Sequence, residues 1–228
     1  MLRDGARKFL RYGGPRFKDA MLMGDCGAFG LKTEVVIRLA VEGECAFASF
    51  AFQHVGDMLA ALATLRRRNL VARAFSMDQL KGRSATRVDA AEAASVVGAV
   101  VREAGSVGRA VKDLAQLAMG RKVLEDAEWS LHMTVEAASA SIAEAQLELA
   151  RAVCRPTGRE IDNVIPKTMR AKPYSVRGLV GPDGERWVPI HGILPLTRAA
   201  GCMNALLAKL AAESAALAAA GITYSWMI

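Results

Sequence analysis

The sequence has little of what metal centres need. Its four cysteines stand far apart without a CxxC pair, and none of its three histidines clusters with them. This spacing predicts no metal site. A long apolar run is also missing, because the most apolar stretch, 205–220, carries Lys209 and Glu213 and falls short of the ~20 residues of a membrane span. The N-terminus lacks the apolar centre of a signal peptide, so we expect a cytoplasmic protein without a membrane span.

Composition and charge narrow the class of protein. Hydrophobic residues make up 52% of the chain and charged residues 23%, a balance that excludes intrinsic disorder. The formal net charge is +7, which is compatible with a basic nucleic-acid binder. However, acidic and basic residues are interspersed, and the one tight basic run, 66–68, falls where a helix end would favour cations. We therefore expect no nucleic-acid partner.

Apolar periodicity divides most of the chain into short elements. The predicted strands are 32–39, 46–52, 70–76, 129–136, 187–193 and 222–228. The predicted helices are 56–68, 90–104, 107–119, 138–153 and 197–220. Asn69 and Gly221 stand where helix caps belong, and strand 129–136 alternates between an apolar and a polar face. This order predicts an α+β domain with helices on one face of a mainly antiparallel sheet.

Three glycines crowd in front of the first predicted strand, at positions 24, 27 and 30. Such a cluster is typical of a tight connection between two strands, or of a place where another group approaches the main chain closely. No helix follows, so the pattern is not a dinucleotide-binding fingerprint. Spacing alone leaves both interpretations open.

The stretch from Gly24 to Glu34, followed by a strand that ends in Arg38-Leu39, resembles the end of the FAD-binding domain in FAD-linked oxidases. The family is that of vanillyl-alcohol oxidase, D-lactate dehydrogenase and glycolate oxidase. Residues 50–68 and 187–195 resemble parts of its cap domain. The resemblance implies that residues 1–40 end a FAD-binding (PCMH-type) domain, and that 41–228 form an incomplete ferredoxin-like cap with helices over an antiparallel sheet.

The same resemblance implies a cofactor, FAD, whose ring lies beside the main chain of the glycine-rich turn. Leu31 stands where isoleucine or valine is usual. The implied cofactor-binding residues are Gly24, Asp25, Cys26, Gly27, Ala28, Gly30, Leu31 and Thr33. Nothing in 1–17 matches the phosphate-holding loop of the family, so we expect a fragment, or one subunit that works with a separate FAD-domain chain.

The implied activity is oxidation of a 2-hydroxy acid (D-lactate or glycolate-like) or a phenolic alcohol by hydride transfer to flavin. The alternative is a non-enzymatic ferredoxin-like module for binding or dimerisation, which a homo-oligomer would suit.

Four residues are candidates for catalysis or substrate binding. His132 lies on the polar face of strand 129–136, which would face the substrate or simply face solvent. His191 would orient or deprotonate a substrate, or hold a proline-rich bend. Arg170 offers a planar fork to a substrate carboxylate, or ties down a loop. Tyr174 is a further candidate proton acceptor or hydroxyl ligand.

Overall fold

The computed structural model of the protein describes residues 31, 33, 41–79, 127–171, 188 and 190–228. These residues form a four-stranded antiparallel sheet with helices packed on both of its faces. The strands are β1 (Glu44–Phe52), β2 (Arg73–Asp78), β3 (Trp129–Ala137) and β4 (Arg159–Ile161). The helices are α1 (Val55–Arg67), α2 (Ala140–Cys154), α3 (Val164–Ala171), α4 (Ala199–Ala212) and α5 (Ser214–Ala219).

The sheet has the strand order β2-β3-β1-β4, so the two long strands lie in its centre. Each central strand begins a strand-helix-strand unit. The first unit consists of β1, α1 and β2, and the second of β3, α2 and β4. β1 and β3 pair along their full length, with Phe50 opposite Leu131 and Ser49 opposite His132. Since opposite residues share a face, this register assigns each side chain of the central pair to one side of the sheet.

The main hydrophobic core lies between the sheet and the helices α1, α2 and α4. The sheet contributes the alternate apolar residues of β1 and β3, such as Phe50 and Leu131, which are fully buried. The helices contribute apolar residues at near-helical spacing, among them Met58, Leu65 and Leu147. The prediction of an α+β domain with an antiparallel sheet is confirmed for the described residues. The prediction that helices cover only one face is wrong, because α3 packs on the other.

Two predicted helix ends are confirmed by their hydrogen bonds. Asn69 has φ of 53° and donates its N–H to Arg66 O, while Leu70 donates to Leu65 O. Gly221 has φ of 66° and stands in the same arrangement at the end of α5. In this arrangement two otherwise unpaired carbonyls of the last turn are satisfied, and a residue with a left-handed backbone lets the chain leave the helix.

Three predicted elements differ from the structure. Strand β2 begins at Arg73 rather than at residue 70, because Leu70 is still bonded to the last turn of α1. The helix predicted over 197–220 is two helices that meet at Glu213, and Arg198, not Thr197, occupies the N-cap position. The strand predicted over 222–228 is limited to a single bridge between Met77 and Met227.

The proline-rich part of the chain was the least predictable. Residues 188 and 190–193 form no strand, whereas β4 and α3 were not predicted. The strand predicted over 32–39 and the helices over 90–104 and 107–119 lie outside the described residues, apart from Thr33, which is exposed and in no strand. In the part of the chain that the structure describes, no helix has the length and apolar character needed to cross a bilayer.

Candidate functional site

The sheet face opposite α1 and α2 carries polar side chains that are buried. On β3 these are Ser130, His132 and Thr134, each at most 5% exposed. The sequence left two interpretations of this face open, towards a substrate or towards solvent, and the burial of these side chains excludes the second. Helix α3 packs against β1 and β3, and its Pro166 and Met169 line a cavity together with side chains of this face. An element from the proline-rich segment thus contributes to the cover of the polar side of the sheet.

His132 is held between two serines. Its Nδ1 lies 2.9 Å from Ser49 Oγ on the neighbouring strand, and its Nε2 lies 3.0 Å from Ser130 Oγ. Ser130 in turn donates its hydroxyl proton to Met77 O at 3.3 Å. The ring of Phe75 lies 5.2 Å from the imidazole, centroid to centroid. Both ring nitrogens are therefore satisfied within the protein.

These contacts define the tautomer of His132. Because the single proton of Ser130 goes to Met77 O, Ser130 Oγ accepts from His132 Nε2–H, and Nδ1 accepts from the hydroxyl of Ser49. Complete burial lowers the pKa of His132 from 6.5 to about 3, since the charged form loses its hydration. The residue is neutral at physiological pH and lines neither of the two cavities described below.

The cavity on this face has a volume of about 160 Å³, room for about five water molecules. Its walls combine two arginines and one hydroxyl with three apolar side chains. They are Arg73, Phe75, Thr134, Pro166, Met169 and Arg170. The site therefore offers positive charge and a hydrogen-bonding group at the edge of an apolar wall, an arrangement that suits a small amphipathic anion.

Of the sequence-predicted site residues that the structure describes, Arg170 alone lines this cavity. It belongs to helix α3 rather than to a loop. Its guanidinium lies 2.6 Å from Glu42 Oε1 and 3.5 Å from Glu136 Oε2. Partial burial alone would lower the pKa of Arg170, but the nearby Cys45 sulfur and the two carboxylates hold it above its usual value. Glu136 also accepts the N–H of Gly43 at 3.1 Å, which links the arginine to the start of β1.

The other predicted site residues that the structure describes do not line this cavity. His191 is exposed, in a stretch without regular structure, and lines neither of the two cavities. Leu31 is 92% exposed and Thr33 is exposed too. The remaining predicted residues lie outside the described part of the chain: Tyr174, Gly24, Asp25, Cys26, Gly27, Ala28 and Gly30.

A second, more open cavity of about 380 Å³ lies at the start of α1. It is formed by the N-terminal turn of α1, the start of β3 and helix α4, and Trp129 and Leu207 are its larger apolar residues. His54 and Asp57 stand on its rim, and no side chain caps the helix at His54. Two carboxylates, Asp57 and Glu128, make this second cavity unsuited to an anion.

Sequence reasoning missed Arg73, Phe75 and Met169 as lining residues of the smaller cavity. Arg73 and Phe75 alternate along β2, but their side of the sheet follows only from the register, in which they lie opposite Thr134 and His132. Met169 belongs to an unpredicted helix. Thr134 was part of the predicted polar face, but its position beside Arg73 follows from the pairing of β2 with β3 in the folded protein.

Among the described residues, no group of three or more histidine, cysteine, aspartate or glutamate side chains is arranged to hold a metal ion. A comparison of the chain with protein-family models finds no match, and a comparison with curated proteins finds none of significance.

Proposed function

We propose that this chain is the cap portion of a FAD-dependent oxidoreductase that oxidises a 2-hydroxy acid or a phenolic alcohol by hydride transfer to flavin. The observation that carries the proposal is the cavity with two arginines and a threonine on the sheet face turned away from α1 and α2. In the enzymes that the sequence resembles, the sheet face that the helices of the cap do not cover roofs the flavin, and here α3 lies over part of the corresponding face. A basic, partly apolar cavity on that face suits an organic acid.

The order of the elements supports the same proposal. Two strand-helix-strand halves with the strand order β2-β3-β1-β4 are the arrangement of a ferredoxin-like domain. This is the architecture that the resemblance implies for the cap. Because ferredoxin-like domains serve many functions, the topology supports the fold of the cap and adds nothing about its chemistry.

The described residues bear on two questions: whether the glycine-rich segment is open to a flavin ring, and whether the cavity is large enough for one. Leu31 and Thr33, the two described members of the glycine-rich segment, are both exposed, so this segment is open to a ring at these positions. The cavity of about 160 Å³ has the size of a small acid rather than of a three-ring system. We therefore assign the cavity to the substrate, and the segment that includes Leu31 and Thr33 to the cofactor.

When bound, flavin supplies the acceptor for the hydride of the substrate C–H bond. This chain would bind the acid through the arginine side of the cavity and exclude water with its apolar side. His132 does not take the hydroxyl proton, since both of its nitrogens are engaged and its pKa is about 3. His191 and Tyr174, singled out by residue type in the sequence, stay the proposed proton acceptors.

The test is purification of the protein from its native cells through an affinity tag on this chain, so that any separate FAD-domain chain is retained. We expect near one-to-one flavin after denaturation, and bleaching of that flavin by D-lactate, glycolate or a phenolic alcohol without oxygen. Gly27→Val should remove the flavin, whereas Gly201→Ala, which has open space around it on α4, should retain it. A colourless complex would refute the proposal.

A binding or dimerisation module is the second candidate, and one observation favours it. Apolar side chains are exposed along α4 and the C-terminal residues, among them Leu206 (44%), Ile222 (53%) and Tyr224 (39%). Exposed apolar groups on neighbouring elements are typical of a surface that another chain covers. A flavin-free protein whose mass by light scattering doubles with concentration would favour this function over the enzyme.

A further inference from the structure

One arginine of the cavity, Arg73, is exposed and has no partner among the described residues, and it lies beside a hydroxyl that has none there either. Arg73 is the first residue of β2 and lies directly opposite Thr134 of β3. Residues paired in this way have Cβ atoms about 5 Å apart and point to the same side of the sheet. Among the described residues, neither the Arg73 guanidinium nor the Thr134 hydroxyl makes a hydrogen bond or ion pair, although Thr134 is 5% exposed.

Arg170, the other arginine of the cavity, differs in this respect. Its single positive charge faces two carboxylates, Glu42 at 2.6 Å and Glu136 at 3.5 Å, and the short contact to Glu42 holds its guanidinium in place. A ligand that took Arg170 would have to displace one of these carboxylates. The free positive charge of the cavity is therefore that of Arg73, although the sequence singled out Arg170.

The charge balance also limits the ligand. Arg170 faces two carboxylates, so Arg73 is the cation among the described lining residues that a ligand can pair with, and a dianion such as phosphate would place its second charge near Glu42 and Glu136 without a further cation to pair it. Behind the polar pair the wall is apolar, formed by Phe75, Pro166 and Met169. A carboxylate with a short apolar body matches both parts.

We propose that Arg73 and Thr134 form the carboxylate subsite of the cavity, and that its ligand is a small 2-hydroxy acid with an apolar side chain seated against Phe75 and Met169. The planar guanidinium of Arg73 donates two hydrogen bonds to the carboxylate, and Thr134 donates its hydroxyl proton to the same group. Arg170 is a positioning residue that ties α3 to the sheet through Glu136. The inference deepens the proposed function, but binding of the acid at this subsite requires no flavin.

The test is calorimetric titration of the purified flavin-free chain with D-lactate, D-2-hydroxyisocaproate and D-mandelate, each beside its neutral amide. We expect the affinity to rise from lactate to the two acids with larger side chains, and the amides to bind at least about tenfold more weakly than the acids. Arg73→Met should weaken binding of the acids about ten- to hundredfold, and Thr134→Val about three- to tenfold. Arg66→Met, an exposed arginine on α1, should bind as the wild type does.

Three results would overturn the inference: no binding of the acids, equal binding of acids and amides, or unchanged binding by Arg73→Met. Circular dichroism of each variant checks that it is folded. Thr134→Val tests the subsite a second time, because it removes the hydroxyl and leaves the charge of Arg73 in place. Failure here is separable from failure of the proposed function. A natively purified complex that contains flavin and oxidises these acids, but is indifferent to Arg73→Met, refutes the subsite alone.

Discussion

His132 stays neutral in the interior because its two neighbours fit the neutral ring. Ser49 donates a proton to Nδ1, and Ser130 accepts the proton of Nε2. A second proton on the ring would face the Ser49 hydroxyl proton and would lack hydration. Both effects raise the free energy of the charged form, which is why the pKa of His132 falls to about 3.

This pKa predicts a dependence of stability on pH. The unfolded chain takes up the proton of His132 near pH 6.5, whereas the folded protein resists it down to about pH 3. Below pH 6.5 the unfolded state therefore binds more protons, and the free energy of unfolding should fall by about 1.4 kcal/mol per pH unit. We expect urea unfolding to show this loss between about pH 6.5 and about pH 5.

The matched control is His191, an exposed histidine. His132→Gln should flatten the dependence in this window, while His191→Gln should leave it as it is. An unchanged slope in His132→Gln would show that another group carries the dependence on pH.

Gly158 shows how closely the ring of Phe52 is packed. A Cβ at this position would lie 2.8 Å from two ring atoms of Phe52, which is 1% exposed, and 3.2 Å from Cys154 O. We expect Gly158→Ala to lower the free energy of unfolding by about 1–3 kcal/mol, because the buried ring has little room to move. Gly201→Ala has open space inside α4, so it should raise stability by up to about 1 kcal/mol. Equal effects in urea titrations would contradict this account.

At the scale of elements, the end of α1 decides where β2 begins. Asn69 adopts the left-handed conformation, and the bond from Leu70 to Leu65 O keeps the chain close to the helix for one more residue. Only then does the chain extend into β2, with Arg73 as its first residue. The cap thus sets which residues of β2 lie opposite Thr134 and His132.

This cap can be tested by replacing its left-handed residue. Asn69→Ala should cost about 1 kcal/mol, because a Cβ without a polar side chain disfavours φ of 53°. Asn69→Gly should be neutral or stabilising, since glycine adopts this conformation without strain. Arg68→Ala, at φ of −86°, is the neighbouring control and should change the urea midpoint little. The idea fails if alanine and glycine at position 69 give the same stability.

At the scale of the whole molecule, the C-terminal residues complete the sheet. Ser76 and Ile228 exchange two backbone hydrogen bonds, of 2.7 and 3.1 Å, and Asp78 N–H donates to Trp226 O. Trp226 and Ile228 also pack against the main core. Residues from the end of the chain therefore cover part of the edge strand β2, which would otherwise offer unpaired N–H and C=O groups.

Removal of residues 226–228 should expose this edge and part of the core. We expect the free energy of unfolding to drop by about 2 kcal/mol, and the shortened protein to self-associate through the open edge. Urea unfolding and sedimentation velocity at several concentrations measure the two effects. A shortened protein that is as stable and as monomeric as the parent chain would show that the strand edge is protected in another way.

Much of the fold could be predicted because it depends on local patterns. The alternation in β3, the helical spacing in α1 and α2, and the caps at Asn69 and Gly221 are all properties of neighbouring residues. Strand β4 and helix α3 were missed, because three residues carry too little pattern for a strand, and because Pro166 makes the first turn of α3 resemble a loop.

The candidate site was predictable only in part. Arg170 was identified by residue type, and its ion pairs with Glu42 and Glu136 join three separate parts of the chain. Arg73 gave no signal, since an arginine at the start of a short strand is common. Its importance follows from its place opposite Thr134, and therefore from the register of β2 on β3.

The amino-acid sequence by itself determined the class of this protein: where most helices and strands run, that the sheet is antiparallel, and where two helices end. These features depend on interactions within a few residues. The tertiary structure alone decided that the polar face of β3 is buried, that His132 is neutral between two serines, and that Arg73 and Arg170 meet at one cavity. Such outcomes depend on strand register and on which helix covers which face, and those are settled by packing between segments that lie far apart in the chain.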